Sequence, residues 1–311
     1  MNDVFIVDGI RTPIGSLNGS LSSVRADDLA VIVIRELMKR NPSVDYSETG
    51  DVILGCANQA GEDNRNVARM AALMAGLPVR VPAETVNRLC ASGMAAVING
   101  ARMVMTGDAS LVIAGGVESM TRAPYVISKP SSAFGRDSQM FDSTFGWRFV
   151  NPVMKEMYGT DSMGETAENL ALRDSISRTD QDKFAEWSQK KAAAATANSR
   201  FAKEIVPVAI AQKKGDPVIF SNDEFIKPHT TLEGLLKLKP AFRKEGSVTA
   251  GNSSGMNDGA CVLLLANENA IKKFNLNPLA RIVASAVEGV EPRIMGIGPV
   301  PATNSALQKS G

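Results

Sequence analysis

The chain contains few cysteines, a single histidine and few aromatic residues. Cys56, Cys90 and Cys261 lie far apart among the 311 residues, and aromatic residues make up 5% of the sequence. The cysteines form no CxxC pair and no Cys/His cluster, so the sequence predicts no metal site. An odd and small number of cysteines is typical of a reducing compartment, and we therefore expect a cytoplasmic protein.

The chain also lacks an excess of charge of either sign. Its 34 Lys and Arg residues nearly balance 33 Asp and Glu residues, which gives a net charge of +1. No Lys/Arg-rich run is interleaved with aromatic residues, so we expect no nucleic-acid partner. The N-terminus has no basic stretch followed by a long apolar one, and no apolar run reaches the length of a membrane span. We therefore expect no secretory signal and no membrane partner.

Short apolar strands alternate with helical patterns in the first part of the chain. The strands are predicted at 4–7, 51–56 and 110–114, and a helix with an apolar side runs to about Lys39. Such alternation predicts an α/β fold with a mostly parallel sheet and helices on both faces. Functional sites of such sheets lie beyond the carboxyl ends of the strands.

Cys90 lies where a β-prone run meets a helical pattern. Met94, Val97, Ile98 and Ala101 recur after it at helical spacing. The free N–H groups and the positive dipole end of a helix N-terminus favour a thiolate, which is the nucleophilic form of cysteine. The alternative is a small buried core residue, as most lone cysteines are.

The sequence pattern changes after residue 120. Residues 121–159 are rich in Ser, Pro, Gly and aromatic residues, and helical patterns follow to about Asn198. The apolar strand pattern returns only after the glycine-rich stretch that begins at Val248. This arrangement predicts that 121–246 is an inserted lobe.

Five ordered motifs resemble those of the thiolase family. The motifs are Asn87–Gly93, Gly115–Met120, Ser162–Asn169, Val248–Gly255 with Asn257–Gly259, and Met295–Pro301. Within the family the chain is most similar to the 3-oxoadipyl-CoA (beta-ketoadipyl-CoA) thiolases of aromatic-acid degradation. The segments that carry this closer similarity are Val24–Asp28, Gly55–Met70 and Gly146–Pro152.

The resemblance implies an acyltransferase with a thiolase-like fold. One thiolase half would comprise residues 1–120 and 247–275, with 121–246 as the inserted α/β lobe. The reaction would be thiolytic cleavage of a 3-oxoacyl-CoA, with 3-oxoadipyl-CoA giving succinyl-CoA and acetyl-CoA. Coenzyme A would be a co-substrate, with no tightly bound cofactor, and the protein would be a homo-oligomer, a dimer or a tetramer.

The resemblance also implies roles for individual residues. Cys90 would be the nucleophile and carry the acyl group as a thioester. Ser254 would contact the pantetheine arm of coenzyme A, and Lys227 falls where many thiolases place an arginine near the adenine nucleotide. Met163 and Met295 would form walls of the acyl pocket. For each of the last four the alternative is structural: a turn, a surface charge or core packing.

Three motifs that thiolases carry further along the chain do not occur in this sequence. They contain Asn-Glu-Ala-Phe, Gly-His-Pro and a second cysteine. By the resemblance, the histidine would activate Cys90, and the second cysteine would protonate and deprotonate the acetyl carbon. The only histidine, His229, lies in the predicted lobe, and we expect it to be a surface or loop residue. Cys261 lies in an apolar run and is predicted to be in the core. Residues 276–311 would begin an incomplete second half, so the sequence predicts C-terminal truncation.

Two other interpretations remain open from the sequence. The chain could be an acetoacetyl-CoA thiolase (acetyl-CoA acetyltransferase), or a catalytically incomplete fragment that binds coenzyme A or assembles with other chains. A dicarboxylic substrate would require a cation near its terminal carboxylate, since a buried unpaired charge is costly. Arg65 and Arg69 are the candidates for that cation.

Overall fold

The structure is a computed structural model that describes residues 2–311. The strands are β1 (Phe5–Arg11), β2 (Gly15–Ser16), β3 (Asp51–Gly55), β4 (Ala83–Val86), β5 (Leu111–Ser119), β6 (Tyr125–Ile127), β7 (Met140–Asp142), β8 (Val208–Ile210), β9 (Val218–Phe220), β10 (Asn257–Ala266) and β11 (Ala280–Arg281). The helices are α1 (Ala26–Arg40), α2 (Val67–Ala75), α3 (Ser92–Thr106), α4 (Pro152–Tyr158), α5 (Met163–Arg173), α6 (Arg178–Ala197), α7 (Leu232–Leu236), α8 (Glu268–Phe274) and α9 (Pro299–Ser310). Short 3₁₀ helices occur at Tyr46–Glu48 and Pro292–Ile297.

One seven-stranded sheet organises the fold. Its strand order is β11-β1-β10-β5-β3-β4, and β2 pairs with the start of β10. The predicted α/β architecture is confirmed, but the sheet is mixed rather than mostly parallel. β3 lies parallel to β4 and β5, whereas β10 is antiparallel to β1 and β5. The chain between β5 and β10 is long, and β10 runs in the direction opposite to β5. Antiparallel neighbours of this kind need no crossover helix.

Helices cover both faces of this sheet, as the sequence predicts. α1 and α2 pack on one face, where Leu29, Ile34 and Ala71 are fully buried. α3 packs on the other face, where Ala96 and Val104 are fully buried. Full burial of a large apolar side chain stabilises a fold by about 1.5–3 kcal/mol, so these two layers supply much of the driving force for folding.

The segment Leu89–Thr106, which includes α3, is long and apolar enough to cross a membrane by length and composition alone. The expectation that no apolar run reaches such a length is therefore wrong for this segment. α3 lies against β3 and β5, and a Cβ atom at Gly100 would come within 2.9 Å of Val112 Cγ1. Close packing of a helix on a sheet accounts for its apolar composition.

The chain between β5 and β10 carries α4–α7 and two small sheets, β6–β7 and β8–β9. Val208 and Ile210 of β8 are buried in the same cluster as α1 and the main sheet. Arg11 of β1 donates to both oxygens of Asp223, at 2.6 and 3.0 Å, and to Glu204 at 2.7 Å. The segment is thus joined to the sheet by apolar packing and by ion pairs. The domain bounds given above stay a prediction.

The last part of the chain packs on both the sheet and α5. β11 pairs with β1 at the edge of the sheet. The 3₁₀ helix Pro292–Ile297 lies against α5, where Asn169 Nδ2 donates to the Arg293 carbonyl at 2.8 Å and Arg293 pairs with Asp161 at 3.0 Å. α9 begins with Pro299, whose missing N–H and fixed φ suit the first turn of a helix.

Candidate active site

Cys90 lies in a tight turn between β4 and α3, and its side chain is exposed. Leu89 adopts a left-handed backbone with φ of +49°, which costs a residue with a Cβ about 1–2 kcal/mol. Side chains on both sides stabilise this turn. Asn87 Oδ1 accepts from the Leu89 N–H at 2.9 Å, and Ser92 Oγ accepts from the Arg88 N–H at 2.8 Å. The turn therefore holds Cys90 in a fixed position that solvent can reach.

Glycines let the first turn of α3 lie directly on the sheet. A Cβ atom at Gly55 would collide with the backbone of Ser92 and Gly93. A Cβ atom at Gly116 would lie 2.9 Å from the Gly55 carbonyl oxygen and 3.3 Å from Gly93 Cα. No side-chain layer separates the helix from β3 and β5 here. Cys90 consequently lies beyond the carboxyl ends of the parallel strands, at the positive end of α3, where a negative charge is favoured.

A buried polar group lies beneath the loop after β3. The Cys56 thiol donates to Asp63 Oδ2 at 3.4 Å, and Glu118 accepts from the backbone N–H groups of Ala57 at 2.8 Å and Asn58 at 3.2 Å. Burial, with the neighbouring Glu118 and Asp63 carboxylates, raises the pKa of the Cys56 thiol. Burial also raises the pKa of the Glu118 carboxyl, against the lowering effect of the two backbone donors.

This buried group shapes the loop that supports the turn at Cys90. Cys56, Asp63 and Glu118 bring three ligand-type atoms within 4.8 Å of one another. Both carboxylates, however, already accept hydrogen bonds from the backbone of 57–61, which is a structural use. The same loop reaches the turn at Cys90, because Asn87 Nδ2 donates to the Ala57 carbonyl at 3.0 Å. Cys56 therefore supports the site from below and remains a thiol.

Met163 and Met295 lie on two elements that pack together. Met163 is the first residue of α5, where Ser162 accepts from the Glu165 N–H as the N-cap, and Met295 lies in the 3₁₀ helix that contacts α5. The side chains are 60% and 40% exposed. Within residues 2–311 neither methionine is buried, so the alternative of core packing does not apply to them.

Lys227 and Gly255, the residue after Ser254, lie against the same aromatic ring. Lys227 Nζ lies 5.0 Å from the centre of the Phe225 ring, and the same ring packs at Gly255, where a Cβ atom would be 2.5 Å from Phe225 Cε2. Ser254 and Lys227 are both exposed. Within residues 2–311 no hydrogen bond joins Cys90 to this pair or to the two methionines.

Two buried carboxylates that sequence reasoning missed hold the loop that carries Ser254. Glu168 of α5 accepts from the backbone N–H groups of Ser247 at 2.9 Å and Val248 at 2.8 Å. Asp182 of α6 is fully buried and accepts from Asn252 Nδ2 at 2.9 Å. Glu168 lies in the middle of α5 and Asp182 in the second turn of α6, and the loop they bind lies about 70–80 residues further on, so the sequence does not show the pairing.

Four other sequence expectations have clear outcomes. His229 is exposed in a turn, as predicted. Cys261 is exposed rather than in the core, because strand alternation fixes which face it points to but not whether a neighbour covers that face. Arg69 donates to the carbonyls of Val79 at 2.8 Å and Val81 at 2.5 Å, so its guanidinium is occupied in bracing a loop. Arg65 is exposed, with a left-handed φ of +62°.

Comparison with known proteins adds to this geometry. The family model described as the N-terminal domain of thiolase matches residues 4–269. The chain is 58% identical over 311 residues to the 3-oxoadipyl-CoA/3-oxo-5,6-dehydrosuberyl-CoA thiolase of Escherichia coli (strain K12), with 100% of this chain and 78% of that protein covered.

Two solved structures are similar along the whole chain. The acetyl-CoA acetyltransferase of Bacillus anthracis has a TM-score of 0.91 at 42% identity, with 100% of this chain and 77% of that chain covered. The human mitochondrial 3-ketoacyl-CoA thiolase, in a complex with CoA, has a TM-score of 0.90 at 39% identity, with 100% and 76% covered. Because a family model matches most of the chain and a relative shares more than half of its residues, the chain belongs to the thiolase family.

Proposed function

We propose that the chain carries the acyl-transfer site of a 3-oxoadipyl-CoA thiolase, with Cys90 as the nucleophile. Thiolases are acyltransferases, and the 58% identity to the Escherichia coli enzyme supports 3-oxoadipyl-CoA as the substrate. The observation that carries the proposal is the exposed Cys90 on a turn fixed at the N-terminus of α3.

The proposed reaction has two halves. In the first, the Cys90 sulfur attacks the 3-keto carbon of 3-oxoadipyl-CoA, and the bond between carbons 2 and 3 breaks. The two-carbon part leaves as acetyl-CoA after its enolate takes up a proton, and the succinyl group stays on Cys90 as a thioester. In the second half, the thiol of another coenzyme A attacks this thioester, and succinyl-CoA leaves.

Charge develops on a carbonyl or enolate oxygen in both halves, so fixed donors are required. The positive end of α3 supplies a field of the correct sign beside Cys90. The proton transfers need groups other than the single histidine of the chain, since His229 is exposed in a turn of the segment between β9 and α7. Acyl transfer from a thioester to Cys90 is therefore the step that tests the chain most directly.

Coenzyme A is the proposed co-substrate. Four exposed residues are proposed to bind the acyl-CoA, two at its coenzyme A part and two at its acyl part. Ser254 would contact the pantetheine arm, and Lys227, above the Phe225 ring, would supply positive charge for the nucleotide phosphates. Met163 and Met295 would line the acyl pocket, because their elements pack together and leave both side chains accessible. Assembly as a homo-oligomer and a cytoplasmic location stay predictions.

The test is acylation followed by intact mass measurement. The chain incubated with succinyl-CoA should gain one succinyl group, and peptide mapping should locate it on Cys90. Cys90→Ser should abolish the adduct, whereas Cys261→Ser, which changes the other exposed cysteine, should leave it unchanged. An adduct that survives Cys90→Ser, or labels Cys261 equally, contradicts the assignment of the nucleophile.

A second candidate substrate is acetoacetyl-CoA. The similarity to the Bacillus anthracis acetyl-CoA acetyltransferase, at 42% identity, supports it less strongly than 58% identity supports 3-oxoadipyl-CoA. The rates at which acetyl-CoA and succinyl-CoA label Cys90 distinguish the two candidate substrates. Faster labelling by acetyl-CoA at equal concentration favours acetoacetyl-CoA.

A further inference from the structure

Arg148 is a partly buried cation without a carboxylate partner among residues 2–311. It lies in Gly146–Pro152, between β7 and α4. Its Nη1 is 3.5 Å from the Ser143 carbonyl oxygen and its Nη2 is 3.5 Å from Asn58 Oδ1. Both distances are at the outer limit for a hydrogen bond, so most of the five N–H donors of this guanidinium remain available.

The other arginines near the loop after β3 are either occupied or fully exposed. Arg122 pairs with Glu62 through two of its nitrogens, and Arg69 donates to two backbone carbonyls. Arg65 and Arg88 project from exposed positions, where solvent weakens the attraction of a charge. Arg148 combines partial burial with available donors, and an ion pair formed there is less screened by solvent.

Hydrogen bonds connect the surroundings of Arg148 to the turn at Cys90. Asn58, which contacts Arg148, donates its backbone N–H to Glu118 and its side-chain amide to the Ser143 carbonyl at 3.0 Å. The preceding residue, Ala57, accepts from Asn87 Nδ2, and Asn87 in turn fixes the turn before Cys90. Arg148 and Cys90 are thus held to the same loop, 57–63.

We propose that Arg148, with Asn58 and Ser143, forms a subsite for a carboxylate at the far end of the acyl group. The inference rests on the proposed function, because it names the part of that site which selects a dicarboxylic acyl chain. A guanidinium binds a carboxylate through two parallel hydrogen bonds, and this geometry gives direction as well as charge. Asn58 Oδ1 and the Ser143 carbonyl lie at the limit of hydrogen-bond distance from the guanidinium and leave its other donors for the ligand.

The subsite replaces Arg65 and Arg69 as the origin of selectivity. A dicarboxylic acyl group would supply the negative charge that Arg148 lacks within residues 2–311. An acyl group that ends in a methyl would leave this partly buried cation uncompensated. Charged hydrogen bonds of this kind change binding by about 10-fold to 100-fold.

The experiment compares two thioesters of equal chain length. Calorimetric affinities for succinyl-CoA and butyryl-CoA are measured on the full chain carrying Cys90→Ser, so that acylation of Cys90 does not interfere, and they give a preference ratio for the terminal carboxylate. We expect a preference for succinyl-CoA of about 10-fold or more. Arg148→Gln should reduce this ratio to near one without weakening butyryl-CoA binding, whereas Arg148→Lys should keep part of it. Arg65→Gln is the matched control and should leave the ratio unchanged.

The outcomes separate this inference from the function on which it rests. If both thioesters bind and the ratio survives Arg148→Gln, or if Arg65→Gln removes it equally, the subsite is overturned while the proposed function stands. If the chain with Arg148 and Arg65 intact binds neither thioester, the proposed function fails and the subsite with it. Thermal unfolding of each variant checks that Arg148→Gln is folded, and the unchanged butyryl-CoA affinity checks that the rest of the site is intact.

Discussion

The turn at Cys90 and the loop at Ser254 are positioned by different forces. At Cys90, backbone lies against backbone, because Gly55 and Gly116 remove the side-chain layer between α3 and the sheet. At Ser254, buried carboxylates on α5 and α6 bind the loop through its backbone and Asn252. The position of Cys90, the proposed nucleophile, therefore depends on close backbone packing, and the position of Ser254, the proposed coenzyme A contact, depends on charge and hydrogen bonding.

This difference has consequences for how each region tolerates change. Close packing of two backbones leaves no side chain that can move aside, so an added methyl group displaces a whole element. A carboxylate that accepts several donors can lose one of them and keep the others, so its loss weakens a loop by degrees. We expect a substitution in the close packing at the turn of Cys90 to cause an abrupt loss of stability. We expect a substitution at the loop of Ser254 to weaken that loop gradually.

The largest predicted effect is at Gly55. Gly55→Ala places a methyl group against the backbone of Ser92 and Gly93, and we expect a loss of about 3 kcal/mol in the free energy of unfolding, together with loss of acylation at Cys90. Urea unfolding and intact mass after succinyl-CoA treatment measure the two effects. Gly93→Ala is the control, because its Cβ would be 3.7 Å from the Gly115 carbonyl oxygen, an ordinary contact. Equal damage from both substitutions contradicts the role given to close backbone packing.

An intermediate effect is predicted at Asp182. Asp182→Ala leaves Arg178 without its partner at 2.7 Å and frees Asn252, so we expect a loss of about 2 kcal/mol of stability, less than for a fully buried pair because Arg178 is 23% exposed. The loosened loop should also weaken coenzyme A binding, measured by calorimetry. Asp180→Ala, on the same helix but exposed, is the matched control. If coenzyme A binds equally well to both variants, Asp182 does not position the loop.

The sequence predicted the position of Cys90 between a strand and a helix because the signals for it are local. A β-prone run, small residues and helical spacing follow one another within 84–105, and together they place Cys90 at a strand-to-helix junction. The supporting contacts are not local. Gly55 meets Ser92, and Asn87 meets Ala57, across 30 or more residues, and such pairs become visible only once the strands are paired.

Contacts between distant parts of the chain explain where the structure differs from what the sequence suggests. Arg69 stays a predicted cation for the substrate, but its guanidinium, in the first turn of α2, donates to the Val79 and Val81 carbonyls before β4, and the sequence does not show these partners. Cys261 lies in an apolar run, yet burial depends on what packs over that part of β10. The antiparallel direction of β10 was hidden for a related reason, since the long segment before it allows either direction.

The smallest predicted effect compares Glu118, which binds the loop after β3, with Asp223, which lies after β9 and binds β1. Glu118 has a pKa raised by burial and has no cation partner among residues 2–311. Asp223, which joins β9 to the sheet through Arg11, has a lowered pKa, because hydrogen bonds from Arg11 and the Ile14 N–H outweigh the raising effect of burial. A raised carboxyl pKa means that the contribution to stability is lost as pH rises above the ordinary value of about 4.3. A lowered one means that the contribution is lost as pH falls below the ordinary value of about 3.9.

The two carboxylates should therefore give opposite pH dependences. Urea unfolding between pH 3 and 7 measures the stability difference between the unmodified chain and each of Glu118→Gln and Asp223→Asn. The difference for Glu118→Gln should shrink as pH rises, because ionised Glu118 costs more in the folded chain than in the unfolded one. The difference for Asp223→Asn should grow as pH rises through the acid range and then level off, because its ionised form is paired with Arg11. If both stability differences change with pH in the same direction, Glu118 has a cation partner in solution. Arg148 would be the first residue to substitute in the search for that partner, because Asn58 contacts both Glu118 and Arg148.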